Sequence, residues 1–586
     1  MRLASLLAAL LVSSAAVAGP KDLGPKAAAD TITISIYLNL QHPDELARFI
    51  DSTVSPGPNY HRFLTVDQFA DRFGATDRQI NKTIKALNKA GIAVSDIYPS
   101  HLVIRATGTV DQFNTFFGTS LHNFANGAHK YQAPAKSVVI PVDLADTIAS
   151  VSGLSTQRQR QARHSHARTT ANKAITLPQN STSTGIPGEF TVGDVADQYQ
   201  VNPLYKLGID GRGATVGIAT LAGFDPKDAE HYWKAIGLKT KGGRIKQVHV
   251  DGGGDVSPDA GSDETTLDVE QAGGMAPGAD LIVYDAPNTD AGFLDLFYKI
   301  ASDNKVDSFS ISWGDSEIFT IANDVTDEFV ALDQALMEAA AQGISVFASS
   351  GDDGAYDTTS ALGPDFQKVL SVDSPSSDPY MTAAGGTTAA GDLPLTDTIT
   401  LHFDKERVWG WSYLIPYVAD VSEIFSAGGG GGVSSFWPTP SYQQGVAGIK
   451  KTEKGQSLLD TDGNDYLDLP AKFAGRNVPD ISLNGDPDTG FLLYYTGDGS
   501  GWTGGWGGTS FVAPQLNGIT GLMNQVEGRV GFLNPQLYRL QGTNALNDVK
   551  AGDNWFYNGQ KGYEPGAGLG SINATNLLTA LLLQCF

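Results

Sequence analysis

A chain of 586 residues is too long for one core and implies three or four domain-sized units. Its formal net charge of −24 is unevenly spread: residues 1–190 hold 18 Lys and Arg against 13 Asp and Glu, and residues 191–586 hold 22 against 51. So acidic a body argues against nucleic acid and anionic membranes as partners, and the single cysteine, Cys585, leaves no intrachain disulfide framework.

Residues 1–18 read as a secretory signal, with Arg2, an apolar stretch from Leu3 to Val12, and Ala16-Val17-Ala18 before Gly19. That stretch is too short to span a bilayer, and no later one is long enough. An exported protein, extracellular or periplasmic, without a membrane anchor is expected. Residues 31–150 read as a compact α+β unit. Thr31–Leu38 alternates as a strand, Pro43–Ile50, Thr65–Phe73 and Asp77–Ala90 read as helices, His101–Ala106 as a strand and Val110–Phe117 as a helix. Residues 155–188 are low in hydrophobicity, opening on Gln157-Arg158-Gln159-Arg160-Gln161-Ala162-Arg163-His164 and continuing rich in Ser, Thr and Asn. Such a stretch reads as a mobile, cleavable linker. The layout, 1–18, 19–154, 155–188 and 189–586, suits a propeptide on an acidic body equally with an ordinary two-domain protein.

From residue 190 onward, apolar strands alternate with helices: Ala214–Thr220, Pro226–Ile236, Leu281–Ala286, Gly292–Asp303, Val306–Trp313, a long helix over Ile321–Gln342, then Ile344–Ser350. Buried strands separated by helices predict a mostly parallel α/β sheet covered on both faces, with ligand sites at the strands' carboxyl ends. The strand ending in Ser312-Trp313-Gly314 suits the lining of a cleft that pairs with an extended peptide.

Polar constellations fall at those places. On the helix Ser262–Gln271, expected to end at Gly273-Gly274 and to be capped by Ser262 or Asp263, Glu264 and Asp268 share a face. If buried they titrate as a unit; if exposed they are an acidic helix face. Asp352 follows a buried strand in Gly351-Asp352-Asp353-Gly354, as a turn former or as a protonated acid donating to an oxyanion. The glycines of 504–508 surround Trp506 in a stretch unlike an ordinary strand interior, and a helical pattern starts at Thr509-Ser510. There Ser510 is either a helix cap or an exposed nucleophile. A nucleophile needs a base. Seven of the ten histidines fall in the N-terminal unit or linker, and His231, His249 and His402 have no catalytic context, so Glu264 with Asp268 is the candidate.

The N-terminal Tyr60-His61-Arg62-Phe63-Leu64-Thr65, then Ser312-Trp313-Gly314, Gly351-Asp352, Thr382–Thr387, Gly432-Val433-Ser434, Pro479-Asp480 and Gly508-Thr509-Ser510, resemble in order the sedolisin family of serine-carboxyl peptidases. The resemblance implies a subtilisin-like sheet preceded by a ferredoxin-like α+β activation domain. It implies Ser510 as nucleophile, Glu264 as base, Asp268 as its orienting partner and Asp352 as oxyanion donor. Implied partners are protein or peptide substrates and the chain's own propeptide as inhibitor, in a monomer. It also implies one structural calcium ion on Asp548, Val549, Gln560, Gly562 and Glu564, a looser match in which Glu564 stands for an expected Asp and Asp553 offers an alternative ligand. Endopeptidase activity at acidic pH is expected, with tripeptidyl exopeptidase activity or non-catalytic binding as alternatives.

Overall fold

The computed structural model describes residues 20–127, 129–167, 175, 177–178, 181–359, 369–396, 398–459 and 464–584. The expected signal segment, Cys585 and part of the linker lie outside these residues. No helix among the described residues is long and apolar enough to cross a membrane.

The body is built on an eight-stranded sheet in the order Ile245–His249, Asp280–Asp285, Thr215–Thr220, Ser308–Ile311, Ser345–Ser349, Thr382–Thr388 and Arg407–Val408, with Ile481–Asn484 also on Thr382–Thr388. All pairings are parallel except that of Arg407–Val408. Alternate residues of each strand enter opposite cores, as a period of two requires. Val216, Ile218, Leu281 and Val283 face the helices Ser262–Met275 and Thr509–Glu527. Ala219, Ile282, Tyr284 and Phe309 face Asp290–Asp303 and Asp327–Ala341. Both faces are covered, as expected.

The N-terminal unit is a four-stranded antiparallel sheet, Ala93–Ile97, Val103–Thr109, Thr31–Leu38 and Ile148–Ser152, with four helices. One set of residues, with Ile34, Ile36, Ile104 and Phe113, makes its own core. Another, with Tyr37, Leu46, Phe69, Phe73 and Val103, is continuous with the body's second core.

Several expectations are corrected. The single helix over 321–342 is two, Glu317–Ala322 and Asp327–Ala341, broken where Asp324 takes φ 55°. The strand over 306–313 divides at Ser312 into Ser308–Ile311 and Trp313–Ser316, the second leaving the main sheet. The helix at 262 runs through Gly273 and Gly274 to Met275; a Cβ at Gly273 would strike Trp233, so this glycine serves packing rather than termination. Neither Ser262 nor Asp263 caps that helix; Gly261 does, at φ 85°. The glycine-rich stretch is a strand, Gly501–Gly507. The linker residues 157–167, expected to be mobile, lie paired in the cleft.

Candidate active site

Glu264 and Asp268 stand one turn apart on the helix Ser262–Met275, both fully buried. Asp268 accepts a hydrogen bond from Ser312 Oγ at 2.6 Å, from the point where the strand breaks. Burial raises both carboxyls, and Asp268 rises well above the carboxylate range because the charge of Glu264 adds to it. Two such groups in one buried place hold a proton between them. Ser510 is the second residue of the facing helix Thr509–Glu527, whose N-cap is Gly508 with no side-chain cap bond. The cap role therefore falls away. The Ser510 hydroxyl is close enough to favour the charged form of Glu264, yet Ser510 Oγ and Glu264 Oε1 each lack a hydrogen-bond partner among the described residues. Phe511, the next residue, packs inward on Phe491 with ring centroids 4.7 Å apart.

Asp352 follows the strand Ser345–Ser349 and is 8% exposed. Its carboxyl accepts from Thr509 N–H at 2.8 Å, Thr509 Oγ1 at 3.0 Å and Ser165 Oγ at 2.9 Å. Burial pushes it up to about 6, against those bonds. At neutral pH it is an acceptor; below about 6 it carries a proton to donate.

The linker runs through this site as an extended strand. Gln161 and Ala162 pair antiparallel with Gly314 and Trp313, and Ser165 and His166 pair with Gly507 and Trp506. Between them Arg163 N–H donates to Ser312 O at 3.0 Å, and Ser510 N–H donates to Arg163 O at 2.9 Å. A Cβ at Gly508 (φ 107°) would meet Asp352, Arg163 O and His164 Cα, so glycine alone admits this approach. His164 Nδ1 lies 2.6 Å from Glu264 Oε2, and its Nε2 lies 3.5 Å from Asp263. Burial lowers this imidazole, but the hydrogen bond to Glu264 and the nearby carboxylates outweigh it and push it up to about 9.

Ser510 N–H contacts the Arg163 carbonyl, and Asp352 and that carbonyl both border Gly508. Glu264 is engaged by the next linker residue, His164, with Asp268 one turn further along its helix. Reasoning from the sequence missed His164, set aside with the other linker histidines, and Thr509, which fixes Asp352. An arginine-rich run ending in His164 and carried by the basic half of an otherwise acidic chain was the available signal.

The proposed calcium ligands lie together elsewhere. Asp548 accepts from Gly562 N–H at 3.0 Å and stands 3.1 Å from Lys550 Nζ. Glu564, 1% exposed, accepts from Ala567 N–H and is near enough for the charge of Asp548 to oppose its own. Asp553 is engaged with Ser412 Oγ and Trp555 N–H instead. No group of three or more His, Cys, Asp or Glu placed to hold a metal occurs among the described residues. Two carboxylates close enough to oppose each other's charge are nonetheless the kind of oxygen donor a hard cation takes.

The family model "Pro-kumamolisin, activation domain" matches residues 18–157. Kumamolisin of Bacillus sp. (strain MN-32) is 30% identical over 576 residues, covering 96% of this chain and 93% of that protein. Sedolisin of Pseudomonas sp. (strain 101) is 28% identical over 94% of this chain and 87% of that protein. Tripeptidyl-peptidase 1 of Homo sapiens is 23% identical over 96% and 93%. A solved structure of Pseudomonas sedolisin, complexed with two molecules of pseudo-iodotyrostatin, shares the fold at TM-score 0.55 and 24% identity, over 69% of this chain and 100% of that one.

Fold and relatives together define a serine-type peptidase preceded by an activation domain. The chain belongs to the sedolisin family.

Proposed function

We propose that this is an exported, acid-acting serine-carboxyl endopeptidase made as a zymogen. Ser510 Oγ attacks the substrate carbonyl, Glu264 takes the hydroxyl proton and returns it to the leaving amine, and Asp268 holds Glu264 in place. The Ser510 N–H and protonated Asp352 stabilise the oxyanion. A carboxylate base suits acidic working conditions, where Asp352 also carries its proton.

The observation that carries this reading is the Arg163 carbonyl resting on Ser510 N–H while its own N–H binds Ser312, the posture of a peptide awaiting attack. The alternative tripeptidyl activity would require a cleft closed three residues before the cut. Here the chain continues past that point, with Arg158 and Arg160 both seated on the body, which favours internal cleavage. An amino-terminally blocked peptide supplied to the matured protein is cut internally, and not by Ser510→Ala. Release of tripeptides from free amino termini alone would contradict this.

We also infer one structural calcium ion held by Asp548, Glu564 and the carbonyls of Val549, Gln560 and Gly562, stiffening the C-terminal loops.

A further inference from the structure

The linker's arginines are not evenly solvated. Arg163 is 3% exposed and its guanidinium reaches Asp373 at 2.5 Å and Asp357 at 3.6 Å, two carboxylates that are themselves buried. Three residues earlier, Arg160 is 4% exposed, binds Asp290 at 2.9 Å and Glu328, and lies over the Phe293 ring at 4.4 Å. Its backbone is fixed on both sides by Asn288, which accepts from Arg160 N–H and donates to Arg160 O, each at 2.8 Å. Buried guanidinium groups are stable only where carboxylates meet them, and the planar fork makes such seats selective for arginine over lysine. The seats come from the body, so they remain when the linker leaves.

We infer that the cleft reads arginine on the acyl side of the cut bond and again three residues upstream, and that Arg163–His164 is the chain's own first processing bond. This rests on Ser510 being the nucleophile. Ser510 Oγ bonds to the Arg163 carbonyl carbon, the bond to the His164 nitrogen breaks, and that nitrogen leaves with the hydroxyl proton carried by Glu264. Water then hydrolyses the Arg163 ester, leaving a carboxylate at Arg163, an amino terminus at His164 and Ser510 restored. Processing removes His164 from Glu264 in the same event that frees the cleft.

The test follows the purified full chain after a shift to acid, with terminal sequencing and mass spectrometry of the earliest products. His164 is the expected first new amino terminus and Arg163 the matching carboxyl terminus. Arg163→Gln slows cleavage at that bond about 10- to 100-fold and Arg160→Gln slows it less, while Arg163→Lys falls between wild type and Arg163→Gln. In trans, the matured protein prefers Arg-Gln-Ala-Arg-His-Ser over the same peptide with Gln at its fourth position by at least about tenfold, and Asp373→Asn reduces that preference. The peptide series keeps the test valid should Asp373→Asn not fold. A first terminus elsewhere, with Arg163→Gln maturing at the wild-type rate and Ser510→Ala inert, overturns this inference alone. Maturation and peptide hydrolysis that survive in Ser510→Ala overturn the nucleophile and the inference together.

Discussion

The amino-terminal unit meets the body at two surfaces built on different physics. At the dock, Leu46, Phe69 and Phe73 share one core with Phe293, Phe297 and Leu332. A small polar set lies beside it, where Ser35, Tyr37 and Arg105 converge on Asp295. In the cleft, the linker is held by Arg158, Arg160, Arg163 and His164 on carboxylates, with Arg160 also over the Phe293 ring and His166 against Trp506. Apolar contact is insensitive to pH, whereas an ion pair ends when its carboxylate is protonated. The dock's apolar share can thus persist in acid, although its Arg105–Asp295 pair is itself open to titration, with burial raising Asp295 to about 8.

The sharpest break is Ser510→Ala, expected to lower peptide hydrolysis by about 10⁴-fold or more while both surfaces stay formed. Phe69→Ala addresses the dock alone. It should destabilise the amino-terminal unit of the full chain by about 3–5 kcal/mol in denaturant unfolding and leave the pH response of the cleft unchanged.

Acid addresses the cleft. Burial raises Asp357 to about 6 even though Arg163 lowers it, so its pair with Arg163 is charged above that value and is lost as pH falls through it. His164 runs the other way: raised to about 9, it contributes below its ordinary value and loses that only as pH rises through 9, so acid release comes from the carboxylates. Maturation should speed about tenfold between pH 7 and 5, as Asp352 gains its proton through about 6. Equal rates at the two values would remove acid as the trigger. Calcium gives the smallest effect: chelation should lower the melting temperature by about 5 °C without altering the processing bond, and an unchanged melting temperature would dispose of the ion.

Much of this was legible in the sequence because local rules carried it. Strand alternation pointed to the sheet, and the spacing of Glu264 and Asp268 put both on one helical face. What local pattern could not supply was long-range placement. Nothing near Arg163 announces that Asp357 receives it, or Asp373, which lies 210 residues further along the chain. The glycines at 273 and 274 looked like a helix end because local propensity disfavours them, yet close packing of Trp233 on Gly273 overrides propensity. The division at Ser312 was equally hidden, since a strand's turn out of its sheet is decided by the linker and helix it must serve.

The central claim is a carboxylate in the place of a histidine base. It is tested most directly by the pH profile of peptide hydrolysis for the matured protein and its Glu264→Gln variant. The wild type should rise as pH falls through about 6, where Asp352 gains its proton, and decline at lower pH as Glu264 is protonated. Glu264→Gln should be inactive throughout. A wild-type optimum at neutral pH, or a Glu264→Gln variant retaining activity, would contradict the account.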